Sequence, residues 1–262
     1  MDEIKKEILE QTKGVAIEVY KDTVSPIVKP IGEILGFLPR TIKLALSGWE
    51  KWIINGEESL KLTAEAIKEK VKKIPEEKLV EPEPYVAIPA IQQISYCQNS
   101  EELRDLYTNL LTASMNADTK WQVHPAFIDI IKQITPDEAK IIKNLPDKIN
   151  DLLPALDVIL FDKERISDPQ LLLTNFATIG LDIVENKTNI CRYLDNLVRL
   201  NIIDIPTHYA VLDDGLYEPL IQSDLLDKII PEFNKNIYAL DYNYKVIVIT
   251  NFGLSFKQIC CS

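Results

Sequence analysis

Glycine is scarce in this 262-residue chain, eight residues against fifteen prolines, which argues against an all-β protein built on tight hairpin turns. Helices punctuated by proline fit better. The four cysteines, Cys97, Cys191, Cys260 and Cys261, form no CxxC pair, and only His124 and His208 accompany them. That leaves no zinc-ligand spacing and no disulfide framework, so reduced intracellular thiols and no metal are expected. No run of about 18 apolar residues occurs, so an ordinary membrane-spanning helix is not expected. Missing too are a Gly-rich phosphate loop, a GxSxG elbow and an HExxH pair, so no catalytic residue and no cofactor is assigned.

Charge is present in quantity and unevenly placed. Residues 1–80 carry equal numbers of basic and acidic side chains, so the whole net charge of -11 falls after Val80. Phosphate backbones are held by cations that release counterions, and an acidic region works against that. Nucleic acid is therefore a disfavoured partner.

The best-punctuated stretch is residues 123–142, VHPAFIDIIKQITPDEAKII. His124-Pro125 opens a helix with Phe127, Ile130, Ile131 and Ile134 on one face. Thr135 and Glu138 form a capping box that starts a second helix at Pro136. Upstream, residues 57–74 place Leu60, Ala64, Ile67, Val71 and Ile74 in one helical stripe, with Lys68, Lys70, Lys72 and Lys73 read as a solvated face. Prolines 75, 82 and 84 then mark a connection. A helix over 89–96 follows, and a box of Asn99 and Glu102 opens the next, whose inner face holds Leu103, Leu106, Tyr107, Leu110 and Leu111. Residues 147–161 read as one or two further helices broken near Pro154.

Residues 23–54 are the least ordinary segment, its short apolar pieces broken by prolines 26, 30 and 39. Burial against the rest of the protein is the first reading, since amphipathic helices ordinarily face a core. Trp49 and Trp52 beside Lys43 and Lys51 support a second, contact with a membrane surface or a partner.

Toward the C-terminus, residues 186–203 run from an apolar-faced helix directly into a short strand. Residues 244–250, YKVIVIT, are the strongest strand signal, and a closing helix follows over 254–260. With residues 209–212 as a middle strand, this order resembles a winged helix-turn-helix. Lys187, Arg192 and Arg199 are the only cations of its candidate recognition helix, facing Asp195, which favours a structural or protein-contact role over DNA binding. The expected class is therefore mainly α: a multi-helix N-terminal and middle region plus a small α+β winged-helix-like C-terminal domain. The expected divisions are 1–80, 81–161 and 162–262, with a wing insertion at 213–241.

Taken together, EELRDLYTNLLTASM, VHPAFIDIIKQITPDEAKII, YLDNLVRLNII and VITNFGLSF resemble the bacterial abortive-infection alpha family over residues 23–260. The resemblance implies a part in phage defence and supplies no catalytic motif to carry over. The expectation is a non-enzymatic cytoplasmic protein that works through a protein partner, with self-association open. Two alternatives stand beside it: a membrane-perturbing effector at the inner membrane face using residues 23–54, and a winged-helix DNA-binding regulator.

Overall fold

The computed structural model describes residues 58–94, 96–97, 100–165, 169–207, 209–211 and 214–261. The described chain divides between Lys132 and Gln133 into two units, each with its own core.

The first unit is helical: α1 (Glu58–Val71), α2 (Pro84–Ile94), α3 (Glu101–Ser114) and α4 (Ala126–Lys132). Helix α3 packs against the other three, because its Leu106, Tyr107, Leu110 and Leu111 are buried where α1 offers Ile67 and Val71, α2 Ala90 and Ile91, and α4 Phe127 and Ile131. The cap of α3 is Ser100, whose hydroxyl accepts from the Leu103 N–H at 3.2 Å. Helix α2 begins five residues before the expected Pro89, which lies inside it. Lys70 departs from the expected solvated face: its Nζ donates to Asp105 at 2.7 Å, Thr108 at 3.0 Å and Asn109 at 2.7 Å, tying α1 to α3.

The second unit is α+β and overturns the expected fold class. Its elements are α5 (Pro136–Asn144), β1 (Leu153–Asp162), β2 (Gln170–Phe176), α6 (Ile190–Arg199), β3 (Ile203–Asp204), α7 (Glu218–Ile221), α8 (Asp224–Ile229), β4 (Tyr238–Ile249) and α9 (Asn251–Cys260). The four strands form one antiparallel sheet in the order β2-β1-β4-β3. Strands β1 and β4 pair without interruption from Leu153↔Ile247 to Asp162↔Tyr238.

The expected helix over 147–161 is largely β1, and the boundary expected after Phe161 falls within that strand. The reason is burial. Ala155 to Val158 are buried consecutively, so the polar alternation that marks a half-buried strand is absent. No winged helix results: residues 209–211 form no strand, and the expected wing insertion contains α7, α8 and the start of β4.

Helices α6 and α9 hold the sheet. Helix α6 packs on β2 and leads through Asn201, at φ 58°, into β3. At the start of α9, Thr250 caps the Gly253 N–H at 2.8 Å and donates its hydroxyl to the Asn201 carbonyl at 2.6 Å. Gly253 is needed there, since a Cβ would lie 1.9 Å from the Ile202 carbonyl oxygen. Among the described residues no helix is long and apolar enough to cross a membrane.

Candidate functional site

Two arrangements carry chemistry beyond packing, one in each unit. In the second unit, Asp157 on β1 and Lys245 on β4 form an ion pair at 2.7 Å, with side chains 8% and 10% exposed. Asn175, at the end of β2, completes the group. Its φ of 55° is in the left-handed region that asparagine tolerates, and its backbone N–H donates to Asp157 at 3.0 Å. The amide bridges two other partners, accepting from Lys245 Nζ at 3.1 Å and donating to Asp195 of α6 at 2.8 Å. One polar group therefore joins three strands and a helix.

Cys191 lies one turn before Asp195 on α6. Burial first, then the negative charges of Asp195 and Asp157, push its thiol up to about 11. The thiol is protonated at neutral pH, the opposite of an activated nucleophile. The charges of Asp157 and Lys245 are spent on each other and on Asn175, so the geometry fastens strands. The sequence signal for this group was a lone charge inside each of two apolar runs, LPALDVILFD and YKVIVIT.

In the first unit the notable feature is exposed apolar surface. Tyr85 and Ile88 on α2, Tyr96 just beyond it, and Trp121 on the 3₁₀ turn Lys120–Gln122 are 61%, 42%, 74% and 79% exposed. Tyr85 and Trp121 line a cleft of about 320 Å³ together with Val86, Ser114 and Ala117. Lys120 sits at its rim, paired with Glu83 at 2.9 Å and bonded to the Glu81 carbonyl at 2.7 Å. The Trp121 indole N–H donates to the Asp118 carbonyl at 3.0 Å, which fixes the ring while leaving most of its surface in water.

A family model described as abortive infection alpha matches residues 55–260. The chain belongs to that family. The four stretches that carried the resemblance all lie within the match. Searches of curated proteins and of solved structures found no match.

In this abortive infection alpha protein, the residues singled out from sequence fall in two groups. Trp49, Trp52, Lys43 and Lys51 lie outside the described residues. Lys187, Arg192 and Arg199 are all exposed, and Arg199 is committed locally: its Nη2 donates to Asn196 at 2.7 Å and its Nη1 to Gln133 at 3.0 Å. Asn196 in turn donates to Glu138 at 2.7 Å. Of the three cations weighed for nucleic-acid contact, Arg199 thus takes part in latching α5.

That latch has a second half. Asp137 accepts from the N–H groups of Glu185 at 2.9 Å and Asn186 at 3.1 Å and from the Tyr193 hydroxyl at 2.9 Å. His124 has a local task as well, its Nδ1 accepting from the Ala126 N–H at the start of α4.

Proposed function

We propose that this abortive infection alpha protein acts in phage defence by binding a partner protein through the aromatic face of its first unit, without catalysing a reaction. The observation that carries the reading is the exposure of Tyr85 and Trp121 in the lining of one cleft. Tryptophan and tyrosine are the residues most often found at the energetic centre of protein interfaces, and apolar patches on a soluble surface mark such sites. The buried polar group of the second unit supports the same view, because its charges fasten strands.

A phage challenge of cells carrying the intact chain or a Tyr85→Ala/Trp121→Ala variant tests this. Both side chains are exposed, so the variant is expected to keep its melting temperature while losing protection. A folded variant that protects as well as the intact chain overturns the proposal.

A second reading rests on sequence alone. Trp49 and Trp52 beside Lys43 and Lys51 favour lipid contact by residues 23–54. Leakage from anionic vesicles, reduced by Trp49→Ala/Trp52→Ala, is its expected signature; leakage equal to buffer for the intact chain removes it.

A further inference from the structure

Among the described residues, the outer edge of β4 pairs with another strand only at Val248 and Ile249. The Lys163 N–H bonds the Ile237 carbonyl and the Thr250 N–H bonds the Ile202 carbonyl. In an antiparallel ladder these two bonds set the parity: odd-numbered residues of β4 turn their backbone groups to β1, and even-numbered ones turn theirs outward. Strand β3 covers only Val248 and Ile249. At the other end the Tyr238 N–H is taken by the Asn234 carbonyl at 2.9 Å, and the Tyr242 N–H by the Asp241 carboxylate at 2.9 Å. Between them the outward N–H and C=O of Leu240 have no backbone partner among the described residues. Farther along the strand Tyr217 packs against it, its ring 4.5 Å from that of Tyr244 and its hydroxyl donating to the Lys245 carbonyl.

A cleft of about 690 Å³ lies against this open stretch. Tyr238, Ala239 and Leu240 all line it. Side chains alternate along a strand, so three consecutive residues on one cleft bring strand backbone into its lining. The facing wall is apolar at Ile230, Pro231 and Phe233, with Glu232 among them.

The cleft is also polarised. Lys163 and Lys235 line it at the Tyr238 end, where the Lys163 ammonium bonds the Lys235 carbonyl at 2.7 Å. Asp227 and Asp241 stand at the Tyr242 end, and after burial their charges help raise the Tyr242 phenol.

We propose that this cleft binds an extended peptide of a partner protein as an added antiparallel strand along residues 238–242. Leu240 supplies the paired backbone bonds, and Ile230 and Phe233 receive apolar side chains. Antiparallel addition places the N-terminal end of the peptide at Asp241 and Asp227 and its C-terminal end at Lys163 and Lys235. The matching segment therefore reads base, apolar residues, acid from N- to C-terminus. The inference goes beyond the aromatic face proposed above; it concerns the other unit and is read out by peptide binding, not by phage protection.

The test is titration of the full chain with a capped peptide Lys-Val-Ile-Val-Glu, its charge-reversed form Glu-Val-Ile-Val-Lys, and two versions N-methylated on alternate amides. Expected are saturable binding, slower amide exchange at Leu240, and binding of the reversed peptide weaker by about tenfold. N-methylation of one set of amides should abolish binding and of the other set leave it, since only alternate N–H groups face the protein. A folded Lys163→Glu/Lys235→Glu variant should invert the charge preference. Absence of saturable binding at millimolar peptide overturns the proposal, as does equal tolerance of both N-methylation patterns. Concentration-dependent protection of Leu240 without peptide also overturns it, in favour of self-pairing.

Discussion

A methyl group at Gly253 would lie 1.9 Å from the Ile202 oxygen and 2.7 Å from its carbonyl carbon, so α9 would have to leave β3 to accommodate any side chain. Gly253→Ala is expected to cost about 3 kcal/mol or more, in the range of buried steric conflicts, measured as a lowered urea midpoint. Asp137 sets a pH dependence. Burial, the largest influence, raises its pKa, but the N–H groups of Glu185 and Asn186, the Tyr193 hydroxyl and Lys140 together outweigh it and leave it below the ordinary carboxylate value. A depressed folded pKa contributes stability above the unfolded value of about 4 that is lost as pH falls through the folded one. Asp137→Asn should therefore destabilise the protein by about 2 kcal/mol at pH 7 and flatten the acid limb of its stability profile. An unchanged limb would show that another carboxylate dominates.

At the scale of elements, side chains tie the strands together as well as backbone bonds. Asp157, Asn175 and Lys245 join β1, β2 and β4. Removing one partner of a buried pair leaves the other charge uncompensated, and Asp157→Ala or Lys245→Ala alone should cost about 3–5 kcal/mol. The double change Asp157→Ala/Lys245→Ala should cost less than the sum of the two single losses, because neither charge is then left buried without its partner. Denaturant melts of the four proteins form the cycle, and additive losses would mean that the pair is not coupled. Two helices were readable in advance from local signals, while the cap expected at Asn99 falls to Ser100. The box of Thr135 and Glu138 is present with both bonds, and Ile190, Tyr193, Leu194 and Leu197 of α6 are buried together. Strand β1 was not, because burial of consecutive residues erases the period that separates strand from helix. The same burial hid the ion pair, whose two halves meet only after β1 and β4 have paired.

For the whole molecule, the division between Lys132 and Gln133 leaves all four strands and the helices that cover them on the C-terminal side. Gln133–Ser262 is therefore expected to fold alone, with a cooperative thermal transition and strongly protected amides in the Ala155–Val158 and Val246–Ile249 segments. A fragment without such protection would show that the sheet depends on the helical unit. Composition suggested a mainly α chain, which the sheet of the second unit overturns, whereas four short stretches sufficed to point to the family. Caps, helical stripes and proline breaks were decided within about ten residues of chain, since a helix closes its hydrogen bonds with its own neighbours. The sheet, its order and the open edge of β4 were decided only by folding, because strands bond to partners far away along the chain, and nothing local to LPALDVILFD records which strand will lie beside it.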